Sequence, residues 1–193
     1  MASKREPSPA LRMRKVALVI CEGETEACYI NLLKAWYKSP IRIVSHIEGT
    51  KITPTLVEKR TNELKISHWD KVQTFLMYDM DVQSINEKLR QCKAEMLLSN
   101  PCFEIWLLLH SKDQKTAIGT ETLIKELKKS VPVWKNYTKS SFTDTQKIFL
   151  INNIDTAVDR AKELREFQNP STGIYKLIEM LQRDTRLSPA SKI

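Results

Sequence analysis

The stretch VALVICEGETE (Val16 to Glu26) changes character at a single bond. VALVIC, Val16 to Cys21, is an unbroken apolar run rich in β-branched side chains, the pattern of a strand buried on both faces in a parallel sheet. Three acids follow at once, Glu22, Glu24 and Glu26, around Gly23, which permits a tight turn. Tyr29, Leu32, Leu33, Trp36 and Tyr37 then recur at helical spacing. The reading is a buried strand, an acid-bearing turn and an amphipathic helix that Pro40 ends.

Outward from this unit the alternation continues. IRIVSHI (Ile41 to Ile47) reads as a second strand, Gly49 as a turn, and Thr53-Pro54 as the cap and first residue of a helix running to about Ser67. VQTFLMY (Val72 to Tyr78) is a third strand that delivers Asp79 and Asp81 at its carboxyl end. A polar helix from about Gln83 leads to AEMLLS (Ala94 to Ser99), a short fourth strand. Asn100-Pro101 opens an almost wholly apolar helix, Cys102 to His110. Beyond it, apolar stripes at Leu123/Ile124/Leu127, Ile154/Ala157/Val158/Ala161/Leu164 and Ile174/Leu177/Ile178/Leu181 predict helices. The expectation is an α/β protein with a parallel sheet flanked by helices and a helical C-terminal portion. In residue terms, 1–13 is a flexible basic arm, 14–110 the core, 111–187 the helical portion packed on it, and 188–193 a tail.

Composition narrows the function classes. With 31 Lys and Arg against 23 Asp and Glu, the 193-residue chain carries a net charge of +8, which favours polyanionic partners, phosphate backbones above all. No apolar run approaches the ~20 residues of a membrane span, and the first 15 residues lack the apolar core of a secretory leader. The four cysteines, Cys21, Cys28, Cys92 and Cys102, form no CxxC pair. Structural zinc is not expected, and reduced thiols point to the cytoplasm. There is no G-x-x-x-x-G-K-[ST] loop and no G-x-S-x-G elbow.

Two strand ends carry acids where ligands bind in open α/β sheets, beyond the carboxyl ends of the strands. Glu22, Glu24 and Glu26 follow the first strand, and Asp79 and Asp81 follow the third. If those strands are neighbours, the carboxylates crowd one cleft and need a cation; Mg²⁺ (or Mn²⁺) is the hard cation such oxygens accept. Asp79 and Asp81, two apart in an extended segment, share a face. The bland alternative is that Glu24 and Glu26 complement the helix dipole and the Asp pair caps the next helix. That alternative is preferred for Glu24. The metal reading is preferred for Glu22, Asp79 and Asp81 together.

CEGETE after an apolar strand, with a later strand ending in DMD, resembles the topoisomerase–primase (Toprim) motif. SNPCFEIWLLLH (Ser99 to His110) and NPSTGIYKLIEML (Asn169 to Leu181) are similar to two segments of the RloB-like family. The resemblance runs from Arg14 to Leu181. It implies a Toprim-like fold in which Glu22 is the motif glutamate, Asp79 and Asp81 the paired metal-ligating aspartates, and Glu26 the second acidic position of the nuclease branch. It further implies a Mg²⁺-dependent nuclease of bacterial antiviral defence, acting on DNA or RNA (tRNA included), beside an ATPase of RloA or abortive-infection type.

Other residues carry two readings each. Glu104, inside the apolar helix, is a further ligand, an anchor for a Lys or Arg, or a structural ion pair. Asn100 caps that helix, and a helix start at the cleft could also hold a phosphate oxygen. His110 is a general acid or, more commonly, a structural residue. Lys176 is a candidate only through the lysine that Toprim nucleases use on the phosphate, and otherwise a solvated helix lysine. Eight lysines from 112 to 147, among them Lys125, Lys128, Lys129, Lys135 and Lys139, surround Trp134 and Tyr137, which could stack on unpaired bases. A soluble helical face with core aromatics is the competing reading. The function classes are therefore a metal-dependent nuclease, a non-catalytic receiver-like signalling module, and a basic adaptor for nucleic acid or the ATPase.

Overall fold

The computed structural model describes residues 15–38, 41–66 and 70–186. The expected arm (1–13), the tail (188–193), Pro40 as helix terminator and Ser67 as a helix end lie outside the described residues.

Strand β1 (Lys15–Cys21) shows why VALVIC is apolar throughout. Ala17, Val19 and Cys21 enter one hydrophobic cluster, while Val16, Leu18 and Ile20 enter another on the opposite face of the sheet. Helix α1 (Glu24–Tyr37) follows and buries Tyr29, Ile30 and Leu33. Trp36, expected on the buried stripe, is 57% exposed. The stripe is centred on Glu26, Tyr29, Ile30 and Leu33, whose i, i+3, i+4, i+7 spacing leaves Trp36 on the flank.

Strand β2 (Arg42–Ile47) pairs parallel with β1, and Gly49 turns the chain at φ +50°. Helix α2 (Pro54–Asn62) is capped as read: Thr53 Oγ1 accepts from the Leu56 amide at 3.2 Å, with Pro54 in the first turn. Such a cap contributes about 1 kcal/mol. The helix stops at Asn62, short of Ser67, because the Glu63 and Leu64 amides turn back onto the Lys59 and Thr61 carbonyls and close it. Strand β3 (Lys71–Met77) pairs parallel with the other side of β1. Helix α3 (Gln83–Arg90) then leads to β4 (Glu95–Met96), parallel to β3. The sheet order is β2-β1-β3-β4. The chain leaves β1 for β2 on one side and recrosses to β3 on the other, so the carboxyl ends of β1 and β3 flank the topological switch point.

A second, two-stranded sheet is not legible in the sequence. Strand β5 (Ser99–Asn100) pairs antiparallel with β6 (Ser171–Thr172), which joins the C-terminal segment to the end of the main sheet. Between them lie α4 (Glu104–Leu109), buried at every residue, α5 (Thr120–Ser130), α6 (Asp144–Asn152) and α7 (Ile154–Lys162); α8 (Tyr175–Arg186) follows β6. One apolar cluster contains Val19 of β1, Leu107 of α4, Leu150 of α6 and Leu177 of α8. The C-terminal helices thus share a core with the sheet.

Gly173 closes this join. Its amide donates to the Leu98 carbonyl at 2.9 Å, and a Cβ there would meet the Met96 carbonyl oxygen at 2.9 Å and Leu97 Cα at 3.2 Å. Gly173→Ala pushes backbone against backbone, so destabilisation by about 1–3 kcal/mol is expected in denaturant unfolding. A variant as stable as wild type would contradict this packing. Among the described residues no helix is long and apolar enough to cross a membrane, and the four cysteines are free thiols.

Candidate active site at the carboxyl ends of β1 and β3

Register brings the first two acids together. Cys21 lies opposite Met77, the Glu22 amide donates to the Met77 carbonyl at 3.0 Å, and the Asp79 amide donates to Glu22 Oε2 at 2.8 Å. Asp79 is bracketed in turn by Ser99, whose amide donates to the Tyr78 carbonyl and whose carbonyl accepts from Met80. Asp79 Oδ1 accepts from the Phe103 amide at 2.7 Å. That bond corrects the expected role of Asn100. The start of α4 is met by the Asp79 carboxylate from another element, while Asn100, tied up in β5, donates its Nδ2 to the Phe167 carbonyl. One oxygen of each acid is thus held by a backbone amide. Glu22 Oε1 and Asp79 Oδ2 make no hydrogen bond among the described residues.

Glu26, at the third position of α1, is buried, with Oε2 3.2 Å from where a Cβ on Gly23 would lie. Glu24 is exposed in the first turn of α1, the helix-dipole position read for it. Asp81 is exposed, one residue beyond Met80, and its charge bears on Glu22. The cluster resists ionising. Burial, reinforced by Glu26, Glu22 and Glu104, pushes the Asp79 carboxyl up to about 8 against the pull of the Phe103 amide. Burial also raises Glu22, with Asp81 adding to it, and raises Glu26, with Glu22 and Glu104 adding to it.

Glu104 is 1% exposed. Its Oε1 accepts from the Tyr137 hydroxyl at 3.2 Å and lies 3.4 Å from Lys139 Nζ, whereas Oε2 is buried without a hydrogen-bond partner. Partial burial works to lower Lys139, but Glu104 and Asp79 outweigh it, so the ammonium titrates above its ordinary range. The segment carrying Lys139 is pinned to α1: the Ser140 amide donates to Thr25 Oγ1 at 2.9 Å, and Cys28 Sγ donates to the Ser140 carbonyl. By sequence, Lys139 falls among the outer lysines. The structure brings it to the acids, and the only signal for this in the sequence is that Glu104, alone in an apolar helix, demands a cation.

The structure chooses between the paired readings of other candidates. Trp134 and Tyr137 are buried and cannot stack on a base; Trp134 packs edge to face on Tyr137 and on Phe149, and Tyr137 stacks on Phe142. His110 takes the commoner of its two readings, the structural one: burial drives its pKa down to about 4, and its Nδ1 pairs with the Trp106 carbonyl inside the core. Lys176 pairs with Glu166 at 2.5 Å rather than with any acid of the cluster. Lys125, Lys128, Lys129 and Lys135 are exposed and make no ion pair among the described residues.

As to a metal, no group of three or more His, Cys, Asp or Glu side chains among the described residues is gathered into a set that could hold an ion. The donors fit a hard cation in charge and type, since unbonded carboxylate oxygens and the orphaned Glu104 Oε2 sit in mutual repulsion. They do not form a closed protein cage.

These features define an α/β protein of Toprim-like architecture with acids on the ends of its two central strands. Residues 17–181 match the model of the RloB-like protein family, and the chain belongs to that family. No curated protein and no solved structure matches it.

Proposed function

We propose that this RloB-like protein is a metal-dependent phosphodiesterase acting on nucleic acid. The observation that carries the reading is the convergence of Glu22 and Asp79 at the carboxyl ends of the two central strands, where Glu26 and Glu104 add to the burial that raises the Asp79 carboxyl, in a chain of net charge +8. A group so perturbed, at a switch point, is a site signature. Glu22 and Asp79 would hold Mg²⁺ or Mn²⁺, with the exposed Asp81 adding charge at the rim and Glu26 behind them. An open set suits this, because Mg²⁺ keeps waters and takes one or two carboxylates plus phosphate oxygens. The chemistry that a bound divalent cation supplies there is a water of lowered pKa and neutralisation of the leaving oxygen.

The chain's own residues do the positioning. The Asp79 and Phe103 amides fix one oxygen each of Glu22 and Asp79, which orients the other. Glu104 holds Lys139 protonated at the cleft, where its ammonium can meet a phosphate oxygen. Lys125, Lys128, Lys129 and Lys135 offer a track for the strand's backbone. Lacking a nucleotide-binding loop of its own, the chain leaves ATP hydrolysis to a separate ATPase, the partner expected beside it. The same basic face would serve an adaptor without catalysis, which cleavage distinguishes.

The test is incubation with plasmid DNA, single-stranded DNA and total tRNA in Mg²⁺, Mn²⁺ or EDTA, with and without the neighbouring ATPase. Cleavage in metal and none in EDTA is expected; no cleavage of any substrate under every condition would overturn the reading. Binding has its own check. Replacing Lys125, Lys128 and Lys129 by Ala should flatten the slope of log affinity against log salt by roughly one unit for each phosphate left without a lysine. An unchanged slope removes α5 from the binding surface.

A further inference from the structure

The turn Arg165-Glu166-Phe167-Gln168 is built against its own sequence. The Gln168 amide donates to the Arg165 carbonyl at 3.1 Å, which closes a four-residue turn, and its third residue, Phe167, has φ +64°. A turn with positive φ at that position favours glycine, and an L side chain there is strained. Phe167 is also 52% exposed, so burial does not compensate for the strain. A glycine would serve the fold better on both counts.

The turn is nevertheless held firmly. The Phe167 carbonyl accepts from Asn100 Nδ2 at 3.2 Å. Glu166 pairs with Lys176 and accepts from the Tyr175 hydroxyl. Just past the turn, the Asn169 side chain clamps both backbone groups of Ile118, at 3.0 and 2.8 Å. The ring is thus presented to solvent from a fixed base. That base adjoins the acids: Asn100 follows Ser99, whose amide and carbonyl bond to Tyr78 and Met80 on either side of Asp79. Arg165, at the other end of the turn, is exposed and makes no ion pair among the described residues.

We infer that Phe167 is a stacking platform for an unpaired base of the nucleic-acid strand bound at the Glu22–Asp79 cleft, with Arg165 meeting that nucleotide's phosphate. The inference rests on the nuclease reading and deepens it, since a base can stack on an exposed ring only when it is free of a duplex. The substrate class is therefore a single strand or a loop. An aromatic face accepts any base, so sequence discrimination is not expected from it. An exposed ring on a held turn, whose backbone bonds to Asn100 next to Ser99, fills the role that buried Trp134 and Tyr137 cannot.

The test is binding of a single-stranded oligonucleotide carrying 2-aminopurine, in EDTA so that no cleavage intervenes, with an unmodified blunt duplex as competitor. Wild type should quench the fluorophore. Phe167→Ala and Phe167→Gly should bind about tenfold or more weakly and lose the quench, Phe167→Trp should keep it, and none should alter duplex binding. Thermal melts serve as the folding control: Phe167→Gly should melt at least as high as wild type, because it relieves the positive φ. Equal affinity and quench in wild type, Phe167→Ala and Phe167→Gly would overturn the platform while leaving the nuclease reading intact. Failure of wild type to bind any single strand, with no metal-dependent cleavage, would overturn both.

Discussion

In EDTA, Asp79→Asn is expected to melt well above wild type at pH 8 and to converge on it as the pH falls toward 5. The folded Asp79 carboxyl titrates at about 8, against 3.8 for an unperturbed aspartate. A raised carboxyl pKa means that the folded state holds the proton more tightly than the unfolded one. Its stability is complete below the unfolded pKa and is lost as pH rises from about 4 through about 8. Over that window the loss in wild type is on the order of a few kcal/mol. Asparagine removes the charge but keeps an oxygen for the Phe103 amide, so the variant escapes it. Melting temperatures of both proteins from pH 5 to 9 are the measurement. An Asn variant that melts lower throughout would mean that the carboxylate serves the fold as a helix cap.

The second large effect joins Lys139 to Glu104. Lys139→Met leaves a carboxylate that is 1% exposed, still bonded to the Tyr137 hydroxyl but, among the described residues, without an ion-pair partner. Destabilisation of about 1–3 kcal/mol is expected at pH 8, the lower part of the range for buried pairs because Lys139 is itself half-exposed. Adding Glu104→Gln removes the stranded charge, so the double variant should regain most of that stability. Cleavage should not follow. Loss of a cation aimed at the reacting phosphate costs about 10²–10³ in rate, and the double variant should stay as slow as Lys139→Met. Denaturant unfolding and single-turnover cleavage of the four proteins of the cycle separate the two roles. Recovery of rate together with stability would make Lys139 a structural partner of Glu104 and nothing more.

Local chemistry that reports on its own element is readable from the sequence. The apolar run at Val16–Cys21, the Thr53-Pro54 cap and the acids after β1 and β3 each announce a strand, a helix start or a strand end within a few residues. What the chain does not announce is long-range pairing. Strands β5 and β6 are two residues each, too short to show a period, and they meet only after α4 to α7 have intervened. Asn100 sits before a helix and looks like its cap, but Asp79 from the end of β3 occupies the Phe103 amide instead. Trp134 and Tyr137 lie among lysines, so only packing reveals that they belong to the core. Lys139 is one basic residue among several until the bond from Ser140 to Thr25 draws its segment onto α1.

If these carboxylates are gathered to bind a divalent cation, metal-dependent melting shows it most directly. Anything that binds the folded chain and not the unfolded one raises the melting temperature with concentration, by RT ln(1 + [L]/Kd). At pH 7.5, millimolar Mn²⁺ or Mg²⁺ should raise the melting temperature of wild type over its value in EDTA. It should leave Asp79→Ala and Asp81→Ala little changed, with the metal-free Ala variants at least as stable as the metal-free wild type. A wild-type melt indifferent to both metals, together with variants that simply melt earlier, would contradict a metal site at the ends of β1 and β3.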